Sequence, residues 1–268
     1  MKEKIGICLW SVPQDNDESR IRFAHKLGIR GFEIDLGTVS DGCPLANPEV
    51  QAEFKNWRKE LGLTYTTLGL NELCSTAMTD LGNHKIIFPI IEKAIEVAVE
   101  MEIPLLQFPS FGVSEINDAA GFGATVATLR YACRAAAKDG ILIGSENALD
   151  LPNQRILLDS IDDPNFRIYF DTANPKCMKG LDGPELLKDA YERVAELHLK
   201  DGFQDDKPAL LGQGESDLEG SIAILKEKNY QGWMHLENNY HQLPKILGLS
   251  LEEVIKKDIE LAQALLAD

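Results

Sequence analysis

The segment RIYFDTAN, residues 167–174, decides the fold, because a run of β-forming residues ends there in a single carboxylate, Asp171. Three other segments have the same form, namely ILIGSEN at 141–147, ELHLKD at 196–201 and WMHLENN at 233–239. Each is a short strand-like run that stops at polar residues. We therefore predict four β-strands that end in Glu146, Asp171, His198 and Glu237.

Successive side chains point to opposite faces of a strand, so each of the four segments presents two sets of residues. One set is almost entirely apolar, as packing against helices requires: Ile143, Ser145, Ile168, Phe170, Leu197, Leu199, Met234 and Leu236. The other set contains the four polar residues. Because the phase agrees across four strands, we expect all four polar side chains to point into the interior of the sheet.

Strand-like runs alternate with longer helical patterns from one end of the chain to the other. The predicted strands lie at 4–9, 31–36, 64–70, 105–108, 141–146, 166–171, 194–199 and 232–236. The clearest predicted helices, with apolar residues at spacings of three and four, lie at 19–27, 48–61, 85–101, 119–138, 218–228 and 251–266. Eight such units, with no glycine-rich turn after the first strand, favour one (β/α)8 TIM-barrel domain over residues 1–268.

The polar strand ends predict a metal site, because active sites of such barrels are built at the C-terminal ends of the strands. Three carboxylates and one imidazole that converge there would repel one another unless a cation neutralised them. This set of three oxygens and one nitrogen favours one divalent ion, manganese first, with magnesium, cobalt and zinc also suitable. Ordinary interior ion pairs with Lys200 or Arg167 are the alternative.

The composition is that of an acidic globular protein, with 44% hydrophobic residues, 26% charged residues and a net charge of −16. This charge, without a dense Lys/Arg cluster, argues against nucleic acid and anionic membranes as partners. No run approaches the roughly 20 apolar residues that cross a bilayer. The five cysteines lack C-x-x-C spacing, which favours reduced thiols and a cytoplasmic location.

The strand-end motifs together resemble the xylose-isomerase-like superfamily of sugar isomerases and epimerases, particularly its ketose 3-epimerase and hexulose-phosphate isomerase branches. The likeness covers essentially the whole chain. Its motifs are GFEID, SEN, FDTAN, HLKD, LLGQGESD and HLEN, in that order. The resemblance implies that Glu146, Asp171, His198 and Glu237 bind one divalent metal, and that Glu146 and Glu237 are also the catalytic acid and base.

Five further residues are candidates for substrate binding. Many ketose epimerases carry a substrate-contacting histidine where this chain has Asn174, and many carry an arginine where it has Gln204. Glu33 could orient a substrate hydroxyl or a metal ligand, or pair inside the barrel. Lys200 could bind a hydroxyl or phosphate, or face solvent. Trp10 could form an apolar wall for a sugar, or only pack at the rim.

The resemblance implies proton abstraction next to a ketose carbonyl, through an enediolate, with 3-epimerisation or aldose–ketose isomerisation as the outcome. An inosose or polyol dehydratase with the same metal site is one alternative. A metal- or sugar-binding barrel without turnover is another. The expected partner is a small sugar or sugar phosphate, and barrels of this kind often pair, which leaves a homo-oligomer open.

Overall fold

The computed structural model describes residues 4–204 and 207–267. Eight parallel strands close into a barrel in the order β1-β10-β7-β6-β5-β4-β3-β2. These strands are β1 (Ile5–Cys8), β2 (Gly31–Asp35), β3 (Thr64–Gly69), β4 (Leu105–Pro109), β5 (Leu142–Glu146), β6 (Phe166–Asp171), β7 (Val194–Leu199) and β10 (Met234–Leu236). The (β/α)8 TIM-barrel fold predicted from the sequence is confirmed, and each predicted strand overlaps an observed one.

Ten α-helices connect and follow the strands: α1 (Asp17–Lys26), α2 (Pro48–Leu61), α3 (His84–Met101), α4 (Ala119–Ala136), α5 (Leu151–Ile161), α6 (Asn174–Lys179), α7 (Gly183–Ala190), α8 (Leu218–Glu227), α9 (Leu243–Leu247) and α10 (Leu251–Leu266) among the described residues. The six clearest predicted helices match α1, α2, α3, α4, α8 and α10 within a few residues. The other four, α5, α6, α7 and α9, lack an individual prediction. Two of them, α6 and α9, contain too few turns to establish an apolar period.

Local sequence explains where these helices begin and end. The Asn47 side chain accepts a hydrogen bond from the Glu49 N–H at 2.9 Å, which caps α2, and Pro48 follows as its first residue. At the other end Gly62 adopts a left-handed conformation with φ of 65°, which side chains disfavour. Ser250 and Glu253 form a reciprocal capping box at the start of α10.

The chain divides into two compact units, residues 1–33 with 170–268 and residues 34–169. The single domain expected from the sequence stays a prediction. In the second unit β4 pairs in parallel with β3 and β5. Its helix α3 buries an almost continuous apolar face made of Ile87, Ile90, Ile91, Ala94, Ile95, Val97, Ala98 and Met101. Apolar burial of this extent is the main source of stability in such a unit.

In the first unit β1 pairs with β2 and β10, and β10 pairs with β7. Gly6 on β1 lies against the imidazole of His235 on β10, so closely that a Cβ at Gly6 would stand 2.4 Å from His235 Cδ2. Glycine is therefore required at this contact. His235 is completely buried, and burial lowers its pKa to about 4, so the ring is neutral at pH 7.

A short antiparallel ribbon follows β7 in the first unit. It consists of β8 (Gly202–Phe203) and β9 (Lys207–Pro208), with Gly202 opposite Pro208. The glycine loop, which we define as residues 211–216, comes next in the chain. A Cβ on Gly214 would lie 2.2 Å from the Asp201 Oδ1 atom, so the loop can approach Asp201 only with glycine there. None of the helices in the described ranges is both long and apolar enough to cross a membrane.

Candidate functional site

The centre of the candidate site is His198, which lies on β7 and is completely buried. Its Nε2 atom is 2.8 Å from Glu33 Oε2, and the Cys8 thiol donates to the same oxygen at 3.3 Å. A carboxylate only accepts hydrogen bonds, so Nε2 carries the proton and a neutral ring keeps a lone pair on Nδ1. This is how a carboxylate behind a histidine prepares the opposite nitrogen for a metal.

Two carboxylates face Nδ1. His198 Nδ1 lies 3.5 Å from Glu237 Oε2 and 3.8 Å from Asp171 Oδ2. Neither distance describes a strong hydrogen bond. Three potential ligand atoms therefore surround one small space in the first unit.

Asp171 is held by the chain that follows it. Its Oδ1 atom accepts hydrogen bonds from the N–H groups of Ala173 at 2.7 Å and Asn174 at 2.6 Å, where α6 begins. Its Oδ2 atom is buried, and no hydrogen-bond donor in the described parts of the chain reaches it. Burial raises the pKa of Asp171, opposed chiefly by the charge of Lys200. An unsatisfied buried carboxylate oxygen is costly, which is the condition a bound cation relieves.

Glu237 follows β10 and is fixed by two donors. Trp10 Nε1 donates to Oε1 at 3.0 Å, and Lys200 Nζ donates to Oε2 at 3.1 Å. Burial raises the pKa of this carboxyl, but the positive charge of Lys200 and the hydrogen bonds from Trp10 and Lys200 outweigh it and lower the pKa to about 2. Glu237 is therefore ionised at neutral pH and remains partly exposed, at 17% of its side chain.

The donor chemistry of the three residues fits a divalent metal. Two carboxylate oxygens and one imidazole nitrogen suit manganese, magnesium, cobalt or zinc. Cys8 also offers an atom within 4.8 Å of ligand atoms of His198 and Glu237. Its thiol, however, already donates to Glu33 Oε2 at 3.3 Å, on the side of His198 that carries Nε2. The oxygen and nitrogen set is therefore the better cation site.

A cavity of about 550 Å³ opens above these residues, and residues of the first unit alone line it. Of the residues predicted from the sequence to bind substrate, Trp10, Asn174 and Lys200 line this cavity. Glu33 does not, because it lies fully buried beneath His198. Gln204 is exposed and is absent from the described lining.

Several cavity residues were not singled out from the sequence, chiefly Asp201, Phe203, Asn238 and Asn239. All four come within a few residues of a strand end: Asp201 lies in the motif HLKD, Phe203 two residues after it, and Asn238 and Asn239 in HLENN. Position after a strand was therefore the signal that would have identified them, since loops at that end build the sites of barrels.

Glu146 belongs to the second unit. It is the last residue of β5 and is 3% exposed. Gln107 Nε2 donates to its Oε2 atom at 2.6 Å, and its own carbonyl oxygen accepts from the Ser110 N–H at 2.8 Å. A buried glutamate therefore stands at the strand end where the sequence predicts it. Its role as metal ligand and acid or base stays a prediction.

Comparisons with known proteins identify the family of this chain. The family model described as "Xylose isomerase-like TIM barrel" matches residues 21–265. The chain is 31% identical over 225 residues, 83% of its length and 82% of the relative's, to 2-epi-5-epi-valiolone 7-phosphate 2-epimerase of an Actinoplanes species.

Two solved structures show the same fold. D-allulose 3-epimerase from a Methylomonas species, crystallised with D-allulose, matches with a TM-score of 0.74 and 19% identity over 97% of this chain and 96% of that one. The IOLI protein, solved with a bound zinc atom, matches with a TM-score of 0.79 and 15% identity over 98% of both chains. By its family match and its epimerase relative, the chain belongs to the xylose isomerase-like TIM-barrel family.

Proposed function

We propose that the protein is an isomerase-class enzyme that moves a proton next to the carbonyl of a polyhydroxy ketone. The observation that carries this proposal is the pair of contacts of His198. Nε2 is hydrogen-bonded to Glu33, while Nδ1 lies 3.8 Å from Asp171 Oδ2 and 3.5 Å from Glu237 Oε2. The epimerase relative supports the same class of reaction.

In this proposal Asp171, His198 and Glu237 hold one divalent metal, and Glu146 completes the set. Glu146 ends β5, as Asp171 ends β6. Manganese is our first choice, with magnesium, cobalt and zinc as the other candidates. When bound, the metal supplies a Lewis acid that stabilises negative charge on the ketone oxygen.

Proton transfer falls to the two glutamates. Glu237 is held in one orientation by Trp10 and Lys200, at the floor of the cavity, so its carboxylate can take a proton from a substrate carbon. Glu146 returns a proton to the other face, which inverts the configuration. Return of the proton to the neighbouring carbon instead gives aldose–ketose isomerisation.

The cavity suits a small polyhydroxylated substrate. Asn174, Lys200 and Asn238 provide hydrogen-bonding groups, and the Trp10 ring provides an apolar wall. The curated relative is named for 2-epi-5-epi-valiolone 7-phosphate, and the sugar in the structural neighbour is D-allulose, which is not phosphorylated. Both kinds of ketone therefore belong in the test.

The test is transfer of solvent deuterium into ketoses and ketose phosphates, followed by NMR, with protein that has been stripped of metal and reloaded. We expect exchange only with metal, and a loss of roughly 10²–10⁴-fold in Glu237→Gln and in Glu146→Gln. Glu227→Gln, at an exposed position on α8, is the matched control and should keep full activity.

Exchange that persists in both glutamate variants would show that these residues are not the acid and base. Loss of water from the substrate, seen as a decrease in mass, would identify a dehydratase instead. Binding of metal and ketose without any exchange would identify a barrel that binds but does not turn over.

A further inference from the structure

Asp258 is a charged residue in an apolar stripe. Helix α10 buries Val254, Ile255, Ile259, Ala262 and Leu266 at spacings of three and four, and Asp258 falls within this face. Its side chain is fully buried. Burial of a carboxyl group costs free energy unless hydrogen bonds compensate, so its partners indicate what this residue contributes.

Asp258 accepts three hydrogen bonds. Its Oδ1 atom accepts from the Leu211 N–H at 2.9 Å, at the start of the glycine loop. Its Oδ2 atom accepts from Asn238 Nδ2 at 2.6 Å and from the Tyr240 hydroxyl at 2.9 Å, both after β10. One carboxylate thus joins α10 to two segments that follow different strands.

Asn238 extends this connection. Its Oδ1 atom accepts from the Asp201 N–H at 2.9 Å. The Asp201 carboxylate in turn accepts from the N–H groups of Gly202 and Gly214, each at 2.9 Å, and of Ser216 at 3.3 Å. The hydrogen bonds therefore run from Asp258 through Asn238 and Asp201 to the end of the glycine loop, and Asp258 binds the start of the loop directly at Leu211.

These hydrogen bonds involve the direct sequence neighbours of Lys200 and Glu237, whose side chains are hydrogen-bonded to each other in the cavity. Asn238 directly follows Glu237, and Asp201 directly follows Lys200. Asn238 and Asp201 also line the cavity, whereas Tyr240 and Asp258 do not appear in the described lining. Of the three donors to Asp258, Asn238 therefore connects it to the cavity wall, Leu211 connects it to the glycine loop, and Tyr240 does neither.

We propose that Asp258 is a positioning residue for substrate binding, which acts through Asn238, Asp201 and the glycine loop on the wall of the cavity. The proposal rests on the proposed function for its kinetic readout. It assigns a role in the site to helix α10, although no described residue of this helix lines the cavity.

The test compares Asp258→Asn with Tyr240→Phe. Asparagine keeps the shape of Asp258 but replaces one acceptor oxygen with an amide donor, which then faces N–H or O–H donors. Tyr240→Phe removes one hydrogen bond from the same carboxylate and leaves the route to the cavity intact. Glu260→Gln, at an exposed position on α10, controls for loss of charge on that helix.

We expect Asp258→Asn to raise the KM for the ketose roughly ten-fold, as loss of one hydrogen bond can, with kcat changed less than about two-fold. Amide hydrogen exchange at Gly214 and Ser216 should accelerate by a similar factor, since both bind Asp201 rather than Asp258 itself. Tyr240→Phe and Glu260→Gln should leave KM and these two amides unchanged.

The proposal is overturned if Tyr240→Phe raises KM as much as Asp258→Asn does, or if Asp258→Asn destabilises the fold while Gly214, Ser216 and KM stay unchanged. Failure of the proposed function gives a different result. Wild-type protein would then turn over no ketose, while the exchange of Gly214 and Ser216 would still decide whether Asp258 positions the loop.

Discussion

The two units of the chain bury very different groups. The second unit, residues 34–169, relies on aliphatic packing, of which the buried face of α3 is the clearest case. The first unit buries ionisable side chains on or just after its strands, namely Cys8, Glu33, Asp171, His198 and Asp201, and it buries Asp258 on α10. Because buried polar groups cost stability while apolar groups supply it, the first unit gives up stability to keep these groups buried.

The largest effect should come from the apolar core of the second unit. Ile91 on α3 is completely buried, so Ile91→Ala should lower the free energy of unfolding by about 2–5 kcal/mol. The affinity for metal should not change at temperatures where the variant is folded. Ile86→Ala, at a position on the same helix that is 39% exposed, should cost much less. Chemical denaturation and metal titration measure the two quantities, and a weaker metal site in Ile91→Ala would remove the distinction between the units.

The next largest effect should be a dependence of stability on pH that comes from Asp258 in the first unit. Burial raises the pKa of Asp258 to about 6, against the opposing hydrogen bonds from Asn238, Leu211 and Tyr240. The folded protein therefore binds this proton more tightly than the unfolded chain, whose aspartates titrate near pH 4. Between about pH 4 and 6 the stability of the wild type should fall as pH rises, by up to about 3 kcal/mol relative to Asp258→Asn. Denaturation of both proteins across this window measures the difference, and parallel curves would show that Asp258 titrates normally.

A third effect should appear in metal binding and hardly in stability. Glu33→Gln removes the negative charge behind His198 Nε2 but keeps an oxygen that can accept its hydrogen bond. We expect the metal affinity to fall roughly 10–100-fold, as is typical when the partner of a metal-binding histidine is changed. Calorimetric titration with Mn²⁺ measures it, with the exposed Glu53→Gln as the control. Unchanged affinity would mean that Glu33 does not prepare His198 for a metal.

The smallest effect should come from Gln204. Its side chain is exposed and lies outside the described cavity lining. Gln204→Ala should therefore change KM less than about two-fold, whereas Asn174→Ala, inside the cavity, should raise it. Steady-state kinetics with one ketose compare the two variants. A large effect at Gln204 would place substrate beyond the cavity and restore the importance expected from the aligned arginine of ketose epimerases.

Much of the fold could be predicted because period and position carry information in this sequence. The alternation of apolar and polar residues along 167–174 and its three counterparts predicted Asp171, His198 and Glu237 at strand ends. The same alternation indicated that their side chains point into the interior of the sheet. The short helices α6 and α9 were beyond such reasoning. Their five or six residues cannot display a helical period, and α6 forms because Asp171 binds the N–H groups at its start.

The partners of the site residues were harder to predict than the residues themselves. Which nitrogen of His198 faces Glu33 depends on the packing of β2 against its neighbours, which the sequence does not reveal. The role of Asp258 was partly visible, since a charged residue in the apolar stripe of α10 violates the helical pattern. Its three donors come from residues up to 47 positions away, so no local pattern could name them.

The cavity is lined both by polar residues that hydrogen-bond in pairs and by apolar side chains. Lys200 pairs with Glu237, and the Asp201 N–H pairs with Asn238, so loss of the Lys200, Glu237 or Asn238 side chain removes a hydrogen bond from its partner. Met178 and Phe203 line the same cavity with apolar side chains that are 39% and 38% exposed. Exchanges at these two positions would reshape the cavity without breaking a side-chain hydrogen bond, so its shape can be altered independently of the polar residues that line it.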